Sequence, residues 1–209
     1  MVLDPPVGSL DHVSLVTAPG AVPARGFRLT PTAGAAGHGR VLLDRSYLEI
    51  RTAAGAGTRL RASSWFLRCD DLEAAAARLR TSGFEVGGPQ RYEGHDGTWL
   101  DLVLGSRAET HLPTLTTRVD VPAGSWPPAF ERPHPNGASR LVEVRVRVSE
   151  PEPLAAALLA LGATTVDRRR FLLGDGGAAV LATEPGPPAV VSLTLERRED
   201  VPLVLDLDD

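Results

Sequence analysis

The residues best suited to chemistry near the start of this chain are one histidine and one glutamate. Each is set in a short apolar run. His12 interrupts "LDHVSLV" at residues 10–16, and Glu49 interrupts "SYLEI" at residues 46–50. A neutral imidazole and a carboxylate are both suitable ligands for Zn, Mn, Fe or Ni. Two ligands do not make a site, because a structural metal takes four protein groups and a catalytic one takes about three. Both residues also have plainer uses. His12 could be a packed histidine bonded to a backbone carbonyl, and Glu49 could pair with Arg40 or Arg51 on a sheet surface.

Alternation along a strand decides what else can stand beside them, since residues two apart share a face. In "SYLEIRT", Leu48 and Ile50 take one face while Tyr47, Glu49 and Arg51 take the other. In "TWLDLVLG", Leu100, Leu102 and Leu104 oppose Trp99 and Asp101. In "LVEVRVRV", the valines oppose Glu143, Arg145 and Arg147. Polar faces of this kind either meet water, as the open side of an antiparallel sheet does, or line a ligand cavity.

The elements that hold these strands recur along the chain. Three segments open alike, at Leu10, Ser63 and Leu141. The second and third run from a strand into a helix and then into further strands. Asp70 or Asp71 can cap the helix "LEAAAARLRTSG", Glu73 suits its first turn, and Gly83 ends it. Pro151 and Pro153 suit the first turn of "PLAAALLALG", which Gly162 ends. In the first segment "APGAVPARG" holds two prolines and two glycines, too many for a regular helix. The reading is α+β, with mostly antiparallel sheets and helices on the outer faces. Its units are residues 8–60, 61–120 and 138–198. The Pro- and Gly-rich stretch 121–137 is a connector, and 199–209 is an acidic tail with a frayed "DLDD" end.

Composition narrows the classes of function. The chain has 209 residues, is 43% hydrophobic and carries a formal net charge of -4. It can therefore bury a sizeable core, and nothing in its charge calls for a nucleic acid or an anionic membrane as partner. All 22 basic residues are arginine, so no lysine is present for Schiff-base chemistry. The single cysteine, Cys69, permits no intrachain disulfide and suits a reducing compartment. "MVLDPPVGSL" does not read as a signal peptide, and no run approaches the ~20 apolar residues of a membrane helix. The expectation is a cytoplasmic protein.

The ordered set "LDHVSLV", "SYLEI", "SSWFLRCDDLEAAAARLRTSGFEV" and "HPNGASRLVEVRVRV" resembles the vicinal oxygen chelate superfamily, and its glyoxalase-like domain proteins in particular. The resemblance covers most of residues 8–185. It implies βαβββ modules, two of which pair into a curved, incomplete barrel around a small-molecule cavity. It also implies a metal half-site at His12 and Glu49. There a divalent Zn, Mn, Fe or Ni ion would chelate two adjacent oxygens of a substrate, in a lyase, isomerase or dioxygenase. Other members bind drugs or aromatic metabolites without a metal, as resistance proteins do.

Under this resemblance Tyr47, Trp65 and Trp99 shape the pocket, and Asp101 is a candidate catalytic base. Trp65 or Phe66 stands about where a second histidine is expected, and Thr116 or Thr117 where a second glutamate is expected. His111 and Glu143 are further pocket candidates, with Glu143 at the position of His12 in the third unit. His38, His95, Asp101 and Glu143 are possible substitutes for the third and fourth metal ligands. His134, in "HPNG", is assigned to a turn. The third unit packs against the other two or mediates a homodimer.

Overall fold

The computed structural model describes residues 7–32, 37–94, 97–105, 111–120, 133–174, 176–198 and 201–207. His95 and most of the 121–137 connector lie outside these residues. The first half contains β1 (Val7–Thr17), β2 (Thr30–Pro31), β3 (His38–Leu42), β4 (Tyr47–Thr52), β5 (Arg61–Cys69), α1 (Leu72–Thr81), β6 (Gln90–Gly94), β7 (Gly97–Val103) and β8 (Thr114–Arg118). These strands form one open sheet in the order β2-β3-β4-β1-β5-β8-β7-β6. Two four-stranded units thus lie side by side, joined where β1 and β5 pair antiparallel. Within each unit the first and last strands pair in parallel, β1 with β4 and β5 with β8. The other pairs among the described residues are antiparallel but for Ala138–Arg147 with Ala178–Ala182 in the second half, so the sheets are mostly antiparallel, as expected, with a parallel pair inside each unit. Alternation gives each strand its faces but not its neighbour, so the sequence left that pairing open.

The helices follow their punctuation. Asp71 caps α1, its side chain accepting from the Ala74 N–H at 2.9 Å, and Leu72, Ala75, Ala76 and Leu79 form the buried stripe. Gly83 follows with a positive φ of 88°, which lets the chain turn back toward the sheet. In the first unit the helix is reduced to a 3-10 turn at Pro23–Arg25, as its prolines and glycines require.

The second half contains β9 (Ala138–Arg147), α2 (Pro151–Ala160), β10 (Thr164–Thr165), β11 (Arg170–Leu172), β12 (Ala178–Ala182), β13 (Ala189–Arg197) and β14 (Leu203–Asp206). Their order is β10-β11-β12-β9-β13-β14. The first five repeat β2-β3-β4-β1-β5. Within the 138–198 unit, β13 pairs antiparallel with β9, as β5 does with β1. The strand that takes the β2 position is β10, only two residues long and without any hydrophobic alternation to betray it. The expected acidic tail also holds a strand, because β14 places Leu205 against the core at 6% exposure.

One hydrophobic core takes side chains from both sheets and both helices, including Val13, Ile50, Leu67, Leu79, Val144, Leu158 and Leu193. Each fully buried aliphatic contributes roughly 1.5–3 kcal/mol over its exposed state. His134 ties the halves together, in keeping with its assignment to the turn. It is buried, its Nδ1 accepts from the Arg28 N–H at 2.9 Å, and its Nε2 donates to the Leu42 carbonyl at 2.8 Å. Phe27 meets its ring edge-on.

Candidate functional site

His12 lies on the face of the first sheet opposite the core. Its cross-strand partners are Tyr47 on β4 and Phe66 on β5. Both rings stack on the imidazole, with centroids 4.4 Å and 3.9 Å away. The strand is irregular at this point. Leu10 pairs with Leu67 and His12 with Phe66, so Asp11 is the extra residue of a β-bulge. A bulge breaks the alternation and lets two consecutive side chains reach the same region. Asp11 Oδ2 accordingly meets His12 Nδ1 at 2.8 Å, and Asp11 Oδ1 accepts from Arg68 Nε at 3.0 Å and Nη2 at 2.6 Å.

This arrangement fixes the imidazole. An ionised carboxylate can only accept, so Nδ1 carries the proton, and in the neutral ring Nε2 is the nitrogen that presents a lone pair. Among the described residues Nε2 has no hydrogen-bond partner. Burial alone would raise the Asp11 pKa, but the bond and charge of His12 and the charge of Arg68 outweigh it and hold the carboxyl below its usual value. Tyr47 is pushed the other way, well above the usual phenol range, by burial and by the charge of Asp11. It stays a neutral phenol.

Glu49 shares this face, two residues beyond Tyr47. Its Oε2 accepts from Ser14 Oγ at 2.5 Å and lies 3.9 Å from Arg51 Nε. The pairing of the two units shows what stands across from it. On this face Phe66 stands opposite His12 and Ser64 opposite Ser14, with Thr114 and Thr116 beside Phe66 and Arg68 on β8. None of these is a strong metal ligand. Trp65 and Thr117 belong to the opposite face.

The other sequence-derived candidates divide by face and by sheet. Asp101 and Trp99 do lie on the His12 face. Asp101 accepts from Thr116 Oγ1 at 2.7 Å, and Trp99 carries the Arg118 guanidinium 4.8 Å above its ring. Asp101 is three strands from His12, roughly 14 Å along the sheet. Trp65 does not belong in a pocket: it is fully buried in the core, where a bulky apolar ring is better placed, and its Nε1 donates to the His111 carbonyl. His111 itself sits in the turn before β8, outside the strand face. Glu143 belongs to the other sheet, where Arg170 Nη1 holds it at 2.9 Å. His38 is exposed at the start of β3. Cys69 is buried, which pushes its thiol up to about 11 and leaves it a packing group rather than a nucleophile.

Sequence reasoning missed Asp11 and Arg68. Strict alternation puts Asp11 on the core face, and only the bulge reverses this. A resident divalent metal does not fit the residues present. Among the described residues no three metal-ligating side chains come together. Phe66, which stands opposite His12 on β5, offers no ligand atom, and Glu49 Oε2 already accepts from Ser14.

A family model described as a glyoxalase-like domain matches residues 10–162. No curated protein shows significant sequence similarity to the chain. Among solved structures, a hypothetical protein from Staphylococcus aureus is similar with a TM-score of 0.63 at 11% identity, 88% of each chain being covered. The Mn(II)-bound glyoxalase from Novosphingobium aromaticivorans is similar at TM-score 0.55 and 13% identity, over 90% of this chain but only 64% of that one. A catechol 2,3-dioxygenase is similar at TM-score 0.60 and 13% identity, over 90% of this chain and 70% of that one. At these identities the likeness is one of fold.

Proposed function

The chain belongs to the glyoxalase-like domain family of the vicinal oxygen chelate superfamily, and we propose that the polar face of its eight-stranded sheet binds a small molecule at His12 without a resident metal. The observation that carries this reading is the Arg68–Asp11–His12 chain. It spends a buried carboxylate on holding one imidazole in one tautomer, with Nε2 turned to accept. Tyr47 and Phe66 hold the ring plane from both sides. A ligand O–H, N–H or activated C–H placed against Nε2 would give its hydrogen bond, or its proton, to that nitrogen. The resulting imidazolium would be stabilised by Asp11, which stays ionised.

Other members of the fold use a divalent ion to polarise such a ligand. In this chain His12 and Glu49 are present, but among the described residues no third ligating side chain joins them. The test is metal content by plasma mass spectrometry after incubation with excess Mn, Zn, Fe or Ni and desalting, beside the His12→Ala variant. The expected result is no stoichiometric retention in either. About one equivalent retained by the wild type and lost in His12→Ala overturns the metal-free reading. In the same protein, an aromatic fragment set followed by NMR should move His12, Ser14 and Phe66 resonances together. Shifts that avoid all three overturn the site itself.

A further inference from the structure

The second sheet carries the first sheet's framework with different side chains. His12 pairs in parallel with Tyr47, and Glu143 with Ala178, the same separation along the chain. Continuing that register, Arg145 stands where Ser14 does, Val180 where Glu49 does, and Ala182 where Arg51 does. Arg170 on β11 takes the place of Arg40 on β3. A tyrosine, a glutamate and an arginine are thus replaced by two alanines and a valine. A groove with a volume of about 280 Å³ opens around the end of β12, lined by Arg145, Arg169, Val180, Ala182 and Glu184 among others.

We propose that this groove is a second binding site, separate from His12, for a small organic carboxylate with a short apolar body. Val180 and Ala182 give it an apolar strip within a lining that is otherwise mostly polar. Its charge is basic. Arg170 is spent on Glu143, but Arg169 has no acidic partner among the described residues. The Arg169 backbone is fixed beside β12, its carbonyl accepting from the Leu181 N–H at 2.8 Å and its N–H donating to Asp167 Oδ1 at 2.7 Å. Arg145 Nε meets Glu184 Oε1 at 3.7 Å, with both side chains more than two-fifths exposed. That pair is long and wet, so it is weak. A ligand carboxylate can displace Glu184 and take the planar guanidinium in a paired geometry. Glu184 thereby acts as a built-in competitor for the anion. The volume lies below the range of drug-sized pockets, which limits the ligand to a single ring or a short acyl chain.

The experiment is an NMR titration of the full chain with benzoate and, separately, with inorganic phosphate at constant ionic strength. Benzoate should saturate, with shifts centred on Arg145, Val180 and Ala182. Arg145→Gln should weaken it at least about tenfold, and Glu184→Gln should tighten it by about threefold or more, as removal of a competing carboxylate predicts. Both substitutions are on exposed side chains and should leave the fold intact. His12→Ala should leave the affinity unchanged, which separates this site from the one on the first sheet. Benzoate binding that survives Arg145→Gln, or that weakens in Glu184→Gln, overturns the proposal. So does phosphate binding as tightly as benzoate, because the apolar strip of Val180 and Ala182 would then play no part.

Discussion

Asp11 is the residue on which the candidate site turns. Its carboxylate is almost wholly buried and answers both Arg68 and His12. Asp11→Asn keeps the shape but removes the charge and cannot satisfy both donors. It should cost about 1–3 kcal/mol of stability, read as a lower midpoint in urea, and should weaken any ligand that moves His12 resonances. The pH windows of two buried groups can be separated. The folded pKa of Asp11 is lowered from 3.8, so its contribution is complete above about pH 4 and is lost as pH falls through the folded value. Burial, with the charge of Arg28, lowers the His134 pKa from 6.5, against the opposing bond to Leu42. Below that value the unfolded chain takes up a proton that folded His134 refuses, so stability falls as pH drops below about 6.5. Thermal unfolding scans from pH 8 to pH 5 should show this slope, and His134→Gln should flatten it. An unchanged slope in the variant would assign the titration elsewhere.

At the scale of elements, capping and packing set the costs. Asp71→Ala removes the cap of α1 and should cost about 1 kcal/mol. Leu79→Ala, fully buried on the same helix, should cost about 2–5 kcal/mol; chemical denaturation of both variants checks the order. The helices were legible because Asp71, Gly83, Pro151 and Gly162 mark their ends in the sequence itself. Strand faces were legible for the same local reason: Leu48 and Ile50 do oppose Tyr47 and Glu49. What local pattern could not carry is anything set by a neighbouring strand. The bulge at Asp11, the parallel pairing of β1 with β4, and the role of β13 as a partner of β9 depend on residues tens of positions away. The site was half legible for this reason. His12 and Glu49 were found as residue types, whereas the Asp11–Arg68 support that gives His12 its tautomer exists only once β1 and β5 are paired. Trp65 was misplaced because one position along a strand exchanges pocket for core.

The whole molecule is held by one core that both sheets share, with His134 bonded across from the second half to β3 and to the chain after Phe27. Such a structure should unfold as a unit. Calorimetry should give a single transition with equal calorimetric and van't Hoff enthalpies, and two resolved transitions would show that the sheets are held less tightly than the shared core implies. No helix among the described residues is long and apolar enough to cross a membrane.

Among the described residues the second sheet stops at β14, and that edge bears on how the protein behaves when concentrated. A terminal strand offers its unpaired backbone to any other strand that drifts past. Val204 is 53% exposed there, close to Asp206, which is exposed as well. The carboxylate is the part of this edge that discourages a neighbour, since stacking copies would bring like charges together. Asp206→Val should therefore leave the melting temperature nearly unchanged while making light scattering rise with protein concentration. Scattering as low as that of the wild type would mean that something other than this charge keeps the edge apart from its own kind.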